Sequence, residues 1–276
     1  MVATPERLGD LWVSRELLRN LVGKELKVRY KGSALGFLWS LITPLLMTAI
    51  FTVVFATFLR IELGDGNFAT FFLSGYLVWQ FFSNSVNSSV GAIVANGPLI
   101  RKVYFPREVL PLSLVLSQGV HFLLALVATS PLIIYYRGFH PELVPAVLIG
   151  LVLLTAFTAG VSMIFAAANV GFRDLQELTQ VLFLGWFYAT PIIYALFFVE
   201  DNAPQFLPLI RANPMTWFVE LFRRMLYGTP AREGLNPPPA WPPLESWLVC
   251  GAWAVGALAV GYWLFNRLAV TFAKEV

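Results

Sequence analysis

The residues able to do chemistry are few, and most of them are basic. The 276-residue chain has two histidines, His121 and His140, and a single cysteine, Cys250, so it holds neither a disulfide framework nor a His/Cys metal cluster of its own. No GxxxxGK loop followed by Ser or Thr is present, which excludes ATP hydrolysis by the P-loop route. Three charged groups stand out. Arg15, Arg19, Lys24, Lys27, Arg29 and Lys31 precede the first long apolar run, a pattern suited to an anionic lipid surface or to an ordinary positive flank. Arg101, Lys102 and Arg107 surround Val103, Tyr104, Phe105 and Pro106 in a segment too short to cross a bilayer, which reads either as a docking knob for another protein or as an interfacial loop. Glu220 stands three and four residues before Arg223 and Arg224, the spacing at which side chains meet on a helix.

The elements that position these groups are apolar. Hydrophobic residues make up 58% of the chain and charged ones 13%, with a mean hydropathy of +0.70. That balance belongs to a chain solvated by lipid. A hydrocarbon layer of roughly 30 Å takes about 20 apolar residues per helical span. Six such runs, at about 38–59, 68–95, 110–136, 143–169, 179–199 and 247–266, predict an all-α integral membrane protein of six spans. They are continuous rather than alternating, which excludes an outer-membrane barrel. None contains Asp, Glu, Lys or Arg, so the ion-binding groups of a secondary carrier and the carboxylates of a membrane transferase are both absent. His121 alone lies at membrane depth, as a packing residue or a proton relay.

Residues 1–30 lack the form of a cleavable signal peptide and are expected to be retained. Thr4-Pro5 reads as a helix start, and Leu11, Leu18, Leu21, Val22 and Leu26 recur at helical spacing. Residues 1–31 therefore predict an amphipathic helix lying on the cytoplasmic leaflet, and residues 32–276 the six-span domain. The distribution of Lys and Arg places both termini, the 96–110 loop and the short loop carrying Arg173, Asp174 and Glu177 in the cytoplasm. On the outer side, Asn213 caps a helix beginning at Pro214 and stopping at Gly228. At about 14 residues it cannot cross the bilayer. Residues 203–228 thus predict a re-entrant region or a passive interfacial helix, followed by a stiff polyproline connector at 236–243.

In combination these segments resemble one family. Lys27-Val28-Arg29-Tyr30-Lys31-Gly32-Ser33-Ala34-Leu35-Gly36-Phe37-Leu38-Trp39-Ser40 followed by Pro44, then Lys102-Val103-Tyr104-Phe105-Pro106-Arg107 with Pro111, then Asn213-Pro214-Met215-Thr216 with Glu220 and Arg223, are similar to the ABC-2 type permeases of polysaccharide and polyol-phosphate exporters. The resemblance runs in order along the whole chain. It implies a bacterial inner-membrane homodimer working with two copies of a separate ATPase, which would hold the ATP and Mg. This chain would hold no cofactor, and no nucleic-acid partner is expected.

The resemblance further implies a substrate of glycan on a polyprenyl carrier, such as O-antigen, or a teichoic acid. It makes Arg101, Lys102, Val103, Tyr104, Phe105, Pro106 and Arg107 the ATPase-coupling set. Arg29, Tyr30 and Lys31 become candidates for the lipid-linked pyrophosphate headgroup, and Trp217, Glu220, Arg223 and Arg224 for the outer gate. Aromatic rings offer sugars flat apolar faces. Phe37, Trp39, Tyr76, Trp79, Phe183, Trp186 and Tyr188 are accordingly candidates for the conduit wall or, singly, for an interfacial belt. An ABC-2 exporter of small drugs or lipids, and a non-transporting scaffold for envelope synthesis, are the alternatives.

Overall fold

The central helix of the bundle is built from residues that look too polar for the place they occupy. Helix α3 (Phe68–Val90) carries Ser74, Ser85 and Ser89 fully buried, yet each hydroxyl donates to a carbonyl three or four residues back at 2.6–2.8 Å. No polar group is stranded there. Asn67 begins the helix, its Oδ1 accepting from the amides of Ala69 and Thr70 at 2.8 and 3.3 Å. Phe71, Phe72, Leu73, Leu77, Val78, Phe82 and Val86 then form the middle of the larger hydrophobic core.

The computed structural model describes residues 14–30, 38–61, 63–64, 66–102 and 105–275. Helix α1 (Arg15–Tyr30) comes first in the chain, and α2 (Leu38–Thr52, continued by a π-helical segment, Val53–Phe58) packs on α3. Two short helices, α4 (Ala92–Ala95) and α5 (Gly97–Lys102), follow α3 and lead to α6 (Val109–Arg137). A 3-10 turn at Pro141–Leu143 opens α7 (Val144–Gly171), and α8 (Leu175–Tyr188) comes next. Short α9 (Leu196–Asn202), α10 (Leu207–Ala212) and the 13-residue α11 (Pro214–Leu226) precede the final helix α12 (Leu244–Glu275). No β-strand occurs among the described residues, and the chain is an all-α membrane protein.

Four helical stretches are both long and apolar enough to cross a membrane: 41–58, 109–137, 141–171 and 244–269. Two of the six runs therefore differ from the expectation of uniform spans. Helix α3 has 23 residues, enough for a span, but Gln80, Asn84 and Asn87 dilute its apolarity. The fifth run is not a continuous helix. Helix α8 ends after 14 residues at Tyr188, roughly 21 Å long at 1.5 Å per residue, and the chain runs irregularly through Ala189–Ala195 before α9. Pro191 is the physical reason, since it lacks the N–H that a continuing helix would need. The expected helix start at Thr4-Pro5 lies outside the described residues.

The closest helix pair is α7 with α12. A Cβ built on Gly160 would stand 2.3 Å from the Ala257 carbonyl, and one on Gly261 would stand 2.2 Å from the Gly160 oxygen. Backbone meets backbone at this crossing, the arrangement small residues permit where lipid supplies no hydrophobic drive. A second, smaller core lies at the end of the bundle where α12 finishes. There Ala92, Ile93, Ile100, Leu110, Met163, Phe265 and Phe272 join Leu21 of α1.

Candidate functional site

At the bundle end away from the smaller core, Asn213 does two jobs. Its Oδ1 accepts from the Met215 amide at 3.0 Å, starting α11, and from the Trp186 indole N–H at 2.8 Å. Its Nδ2 donates to the Ala189 carbonyl and the Thr190 hydroxyl at 3.2 and 2.9 Å. One side chain thus caps α11 and closes the frayed end of α8. Helix α11 then buries Met215, Phe218, Val219, Leu221, Phe222 and Met225 against the bundle, and stops where Gly228 adopts φ +100°.

The expected gate residues share this helix but face different partners. Arg223 is wholly buried, 0% exposed, and its Nη2 donates to the carbonyls of Pro191 and Ile192 at 2.7 and 3.2 Å. Those carbonyls belong to the segment where α8 has ended, so the guanidinium supplies the donors a helix would have provided. Arg223 also pairs with Glu220 and lies 3.9 Å from the centroid of the Phe71 ring. Glu220, with 29% of its side chain exposed, faces outward as well as toward Arg223. Arg224 turns away and donates to the Thr229 hydroxyl, while Trp217 donates to the Arg211 carbonyl at 2.7 Å. Further out, Arg232 bonds both oxygens of Asp201 at 2.9 and 2.7 Å, and that hydrogen bonding together with the carboxylate charge raises the guanidinium pKa.

The sequence reading missed the node beside this helix. Buried Asn236 donates to the Leu63 carbonyl and the Tyr227 hydroxyl, both at 2.7 Å, and accepts from the Ala231 amide at 2.7 Å. Arg137, the last residue of α6, donates to the Tyr227 carbonyl at 2.6 Å and the Pro237 carbonyl at 3.1 Å. A Cβ at Gly66 would overlap the Tyr227 hydroxyl at 1.7 Å, so the crossing requires glycine. The connector 236–243 is therefore pinned rather than free. The available signal was Asn236 ahead of three prolines, which lack amide donors and leave their segment to be held by donors elsewhere.

At the opposite end, the loop between α3 and α6 is a short helical turn. Asn96 Nδ2 donates to the Ala92 carbonyl at 2.8 Å, and α5 follows. Lys102 is exposed, whereas Phe105, Pro106 and Arg107 are half-buried and Phe105 packs against the smaller core. Arg107 donates to the Ala269 carbonyl of α12 and lies 6.0 Å from the Phe272 ring centroid. Val103, Tyr104, Lys31, Phe37 and the side chains of Arg29, Tyr30 and Arg101 lie outside the described residues.

The aromatic candidates separate into two groups. Trp79 and Phe183, 6% and 4% exposed, pack with Phe82, Trp186 and Phe187 inside the larger core. Trp186 is half-buried and committed to Asn213. Trp39 and Tyr188 stand about half exposed, at 50% and 54%. Tyr76 is half-buried and stacks on Phe72 at 5.1 Å, which stacks in turn on Phe51 at 4.5 Å. No group of three or more His, Cys, Asp or Glu able to hold a metal is found among the described residues.

Comparison with known proteins places this geometry. The ABC-2 type transporter family model matches residues 16–227. The chain is 36% identical over 269 residues to an O-antigen export system permease protein of Klebsiella pneumoniae, covering 94% of both chains. It is 37% identical over 221 residues to the protein of that name from Myxococcus xanthus, covering 79% of this chain and 83% of the other. A polysialic acid transport protein of Escherichia coli is 25% identical over 229 residues, covering 81% and 86%. By the extent of the family match and the identity to these relatives, the chain belongs to the ABC-2 type transporter family.

Proposed function

We propose that this chain is the membrane permease of an ABC exporter that moves a lipid-linked polysaccharide, O-antigen-like in kind, across the inner membrane. The observation that carries this reading is the 36% identity to an O-antigen export permease across 94% of both chains. The geometry supports it. The long helices are apolar, and the carboxylates within the crossing stretches, Glu142 and Glu245, stand at their ends rather than at mid-span, where a driving ion would be bound. Energy then comes from a separate ATPase, which supplies the ATP and Mg site and docks on the α4–α5 loop at the cytoplasmic end.

In this reading both termini are cytoplasmic, and the basic face of α1, with Arg19, Lys24 and Lys27, rests on anionic headgroups. The permease acts as a homodimer beside two ATPase copies. The apolar faces left uncovered on α2 (Leu45, Leu46, Ile50) and α8 (Val181, Leu182, Leu184) meet lipid or the second subunit. Arg29, Tyr30 and Lys31 receive the headgroup of a polyprenyl-linked glycan, and α11 with Glu220 closes the outer side. Exposed Trp39 and Tyr188, with half-buried Tyr76, are the aromatic candidates still open to sugar.

The test is a deletion in the native host combined with purification of the tagged chain in intact membrane complexes. Loss of surface polysaccharide and recovery of a P-loop ATPase at a fixed ratio are expected. An intact glycan coat, or a permease recovered without any ATPase, would overturn the reading. A surface defect in teichoic acid rather than O-antigen would keep the exporter and change the polymer.

A further inference from the structure

In the loop between α3 and α6, α5 runs from Gly97 to Lys102, and the carbonyls of Pro106 and Arg107 accept from the amides of Val109 and Leu110 at 3.2 and 3.1 Å. The loop's further footing comes from elsewhere in the chain. Ile100 and Phe105 insert into the smaller core beside Phe265 and Phe272 of α12, and the Arg107 guanidinium bonds the Ala269 carbonyl. Phe272 is fully buried, its ring edge-on to Phe265 at 5.3 Å and facing Arg107. Helix α12 is 32 residues long, about 48 Å, so its last turns reach well past a hydrocarbon layer of roughly 30 Å. That extension is where Ala269 and Phe272 lie.

Resting on the exporter reading above, we infer that Arg107 is a positioning residue rather than an ATPase contact: it straps the ATPase-docking loop to the cytoplasmic end of α12. The guanidinium is suited to this, since it stays charged and has donors for a carbonyl while its flat face meets a ring. The strap joins the loop to the helix that crosses α7 backbone-to-backbone at Gly160 and Gly261 and also packs on α11. A push on the loop therefore loads α12 directly. Lys102, exposed at the end of α5, is left to face the partner.

The test compares the wild-type chain with R107A, F272L and the double variant. F272L keeps an apolar side chain of similar bulk in the core and removes the ring. Hydrogen exchange of the 99–108 amides in the isolated permease reads the strap without any ATPase. R107A and F272L should each speed that exchange roughly tenfold, the scale of one lost charged hydrogen bond, and the double variant should be no faster than R107A. In assembled complexes both single variants should loosen ATPase retention alike, and the KM for MgATP should stay unchanged, because the nucleotide site is in another chain.

Unchanged exchange in R107A, or multiplying effects in the double variant, would overturn the strap. So would a loss of ATPase in R107A with full retention in F272L, since that pattern marks a direct contact. Should the wild-type chain retain no ATPase, the exporter reading falls, while the exchange data still decide the strap.

Discussion

Arg223 has no exposed surface, and its charge is tolerated because Glu220, two backbone carbonyls and the Phe71 ring surround it. Removing one partner from such a group leaves the others buried without a mate, at a cost of about 3–5 kcal/mol. E220Q leaves the wholly buried cation without its counter-charge, so it should lower the thermal stability of the detergent-purified protein strongly, and R223M should lower it too, through the Pro191 and Ile192 carbonyls it strips of their donor. A wild-type melting temperature in E220Q would show that the buried guanidinium does not depend on the carboxylate. Asn236 gives a second case at this scale. N236A takes the Asn236 donor from the Leu63 carbonyl and the Tyr227 hydroxyl and the acceptor from the Ala231 amide, an expected loss of about 2–3 kcal/mol in the same measurement. The pairing of Glu220 with Arg223 was legible in the sequence because three residues is helical spacing. The Asn236 node was not, because Leu63 lies 173 residues away and no periodicity connects them.

At the scale of elements, the α7–α12 crossing is the contact least able to yield. Adding even a methyl group at Gly160 or Gly261 brings it within 2.3 Å of backbone atoms, which cannot rotate aside as a side chain can. G160A and G261A should each force the helices apart and reduce the folded yield in membranes severalfold, by fluorescence-detected size exclusion. Gly251 and Gly256 lie on the same helix α12 with nothing within 4 Å of a Cβ, so G251A and G256A should be neutral or stabilising by about 0.5–1 kcal/mol. The apolar runs made most of these helices legible, and Asn213-Pro214 marked the start of α11 to the residue, while Gly228 stands two residues past its end at Leu226. The break in the fifth run was hidden. Thr190 to Ala195 is as apolar as the helix before it, and hydropathy does not register that Pro191 removes a donor or that Asn213 and Arg223 wait to satisfy the carbonyls set free.

At the scale of the whole molecule, the proposed exporter reading gives the two ends separate duties, and that division predicts which function each charge reversal removes. Glu220 stands on α11, whose neighbours are α3, α7, α10 and α12, and it is not among the residues of the smaller core. Lys102 stands exposed at the other end, beside Arg101, on a turn held by Ile100 and Phe105. The E220K variant places a second cation against buried Arg223, which displaces α11 without disturbing the α4–α5 loop, so export should fail while ATPase stays bound. The R101E/K102E variant reverses the charge offered to the partner, and ATPase retention should fall first, on the order of tenfold, or ~1.4 kcal/mol. Measuring retained ATPase and surface glycan in the same strains separates the two, provided each variant reaches the membrane at wild-type yield. Equal loss of ATPase in both would mean that the ends are mechanically one body, with α12 as the rod between them, and the separation of gate from docking site would have to be abandoned.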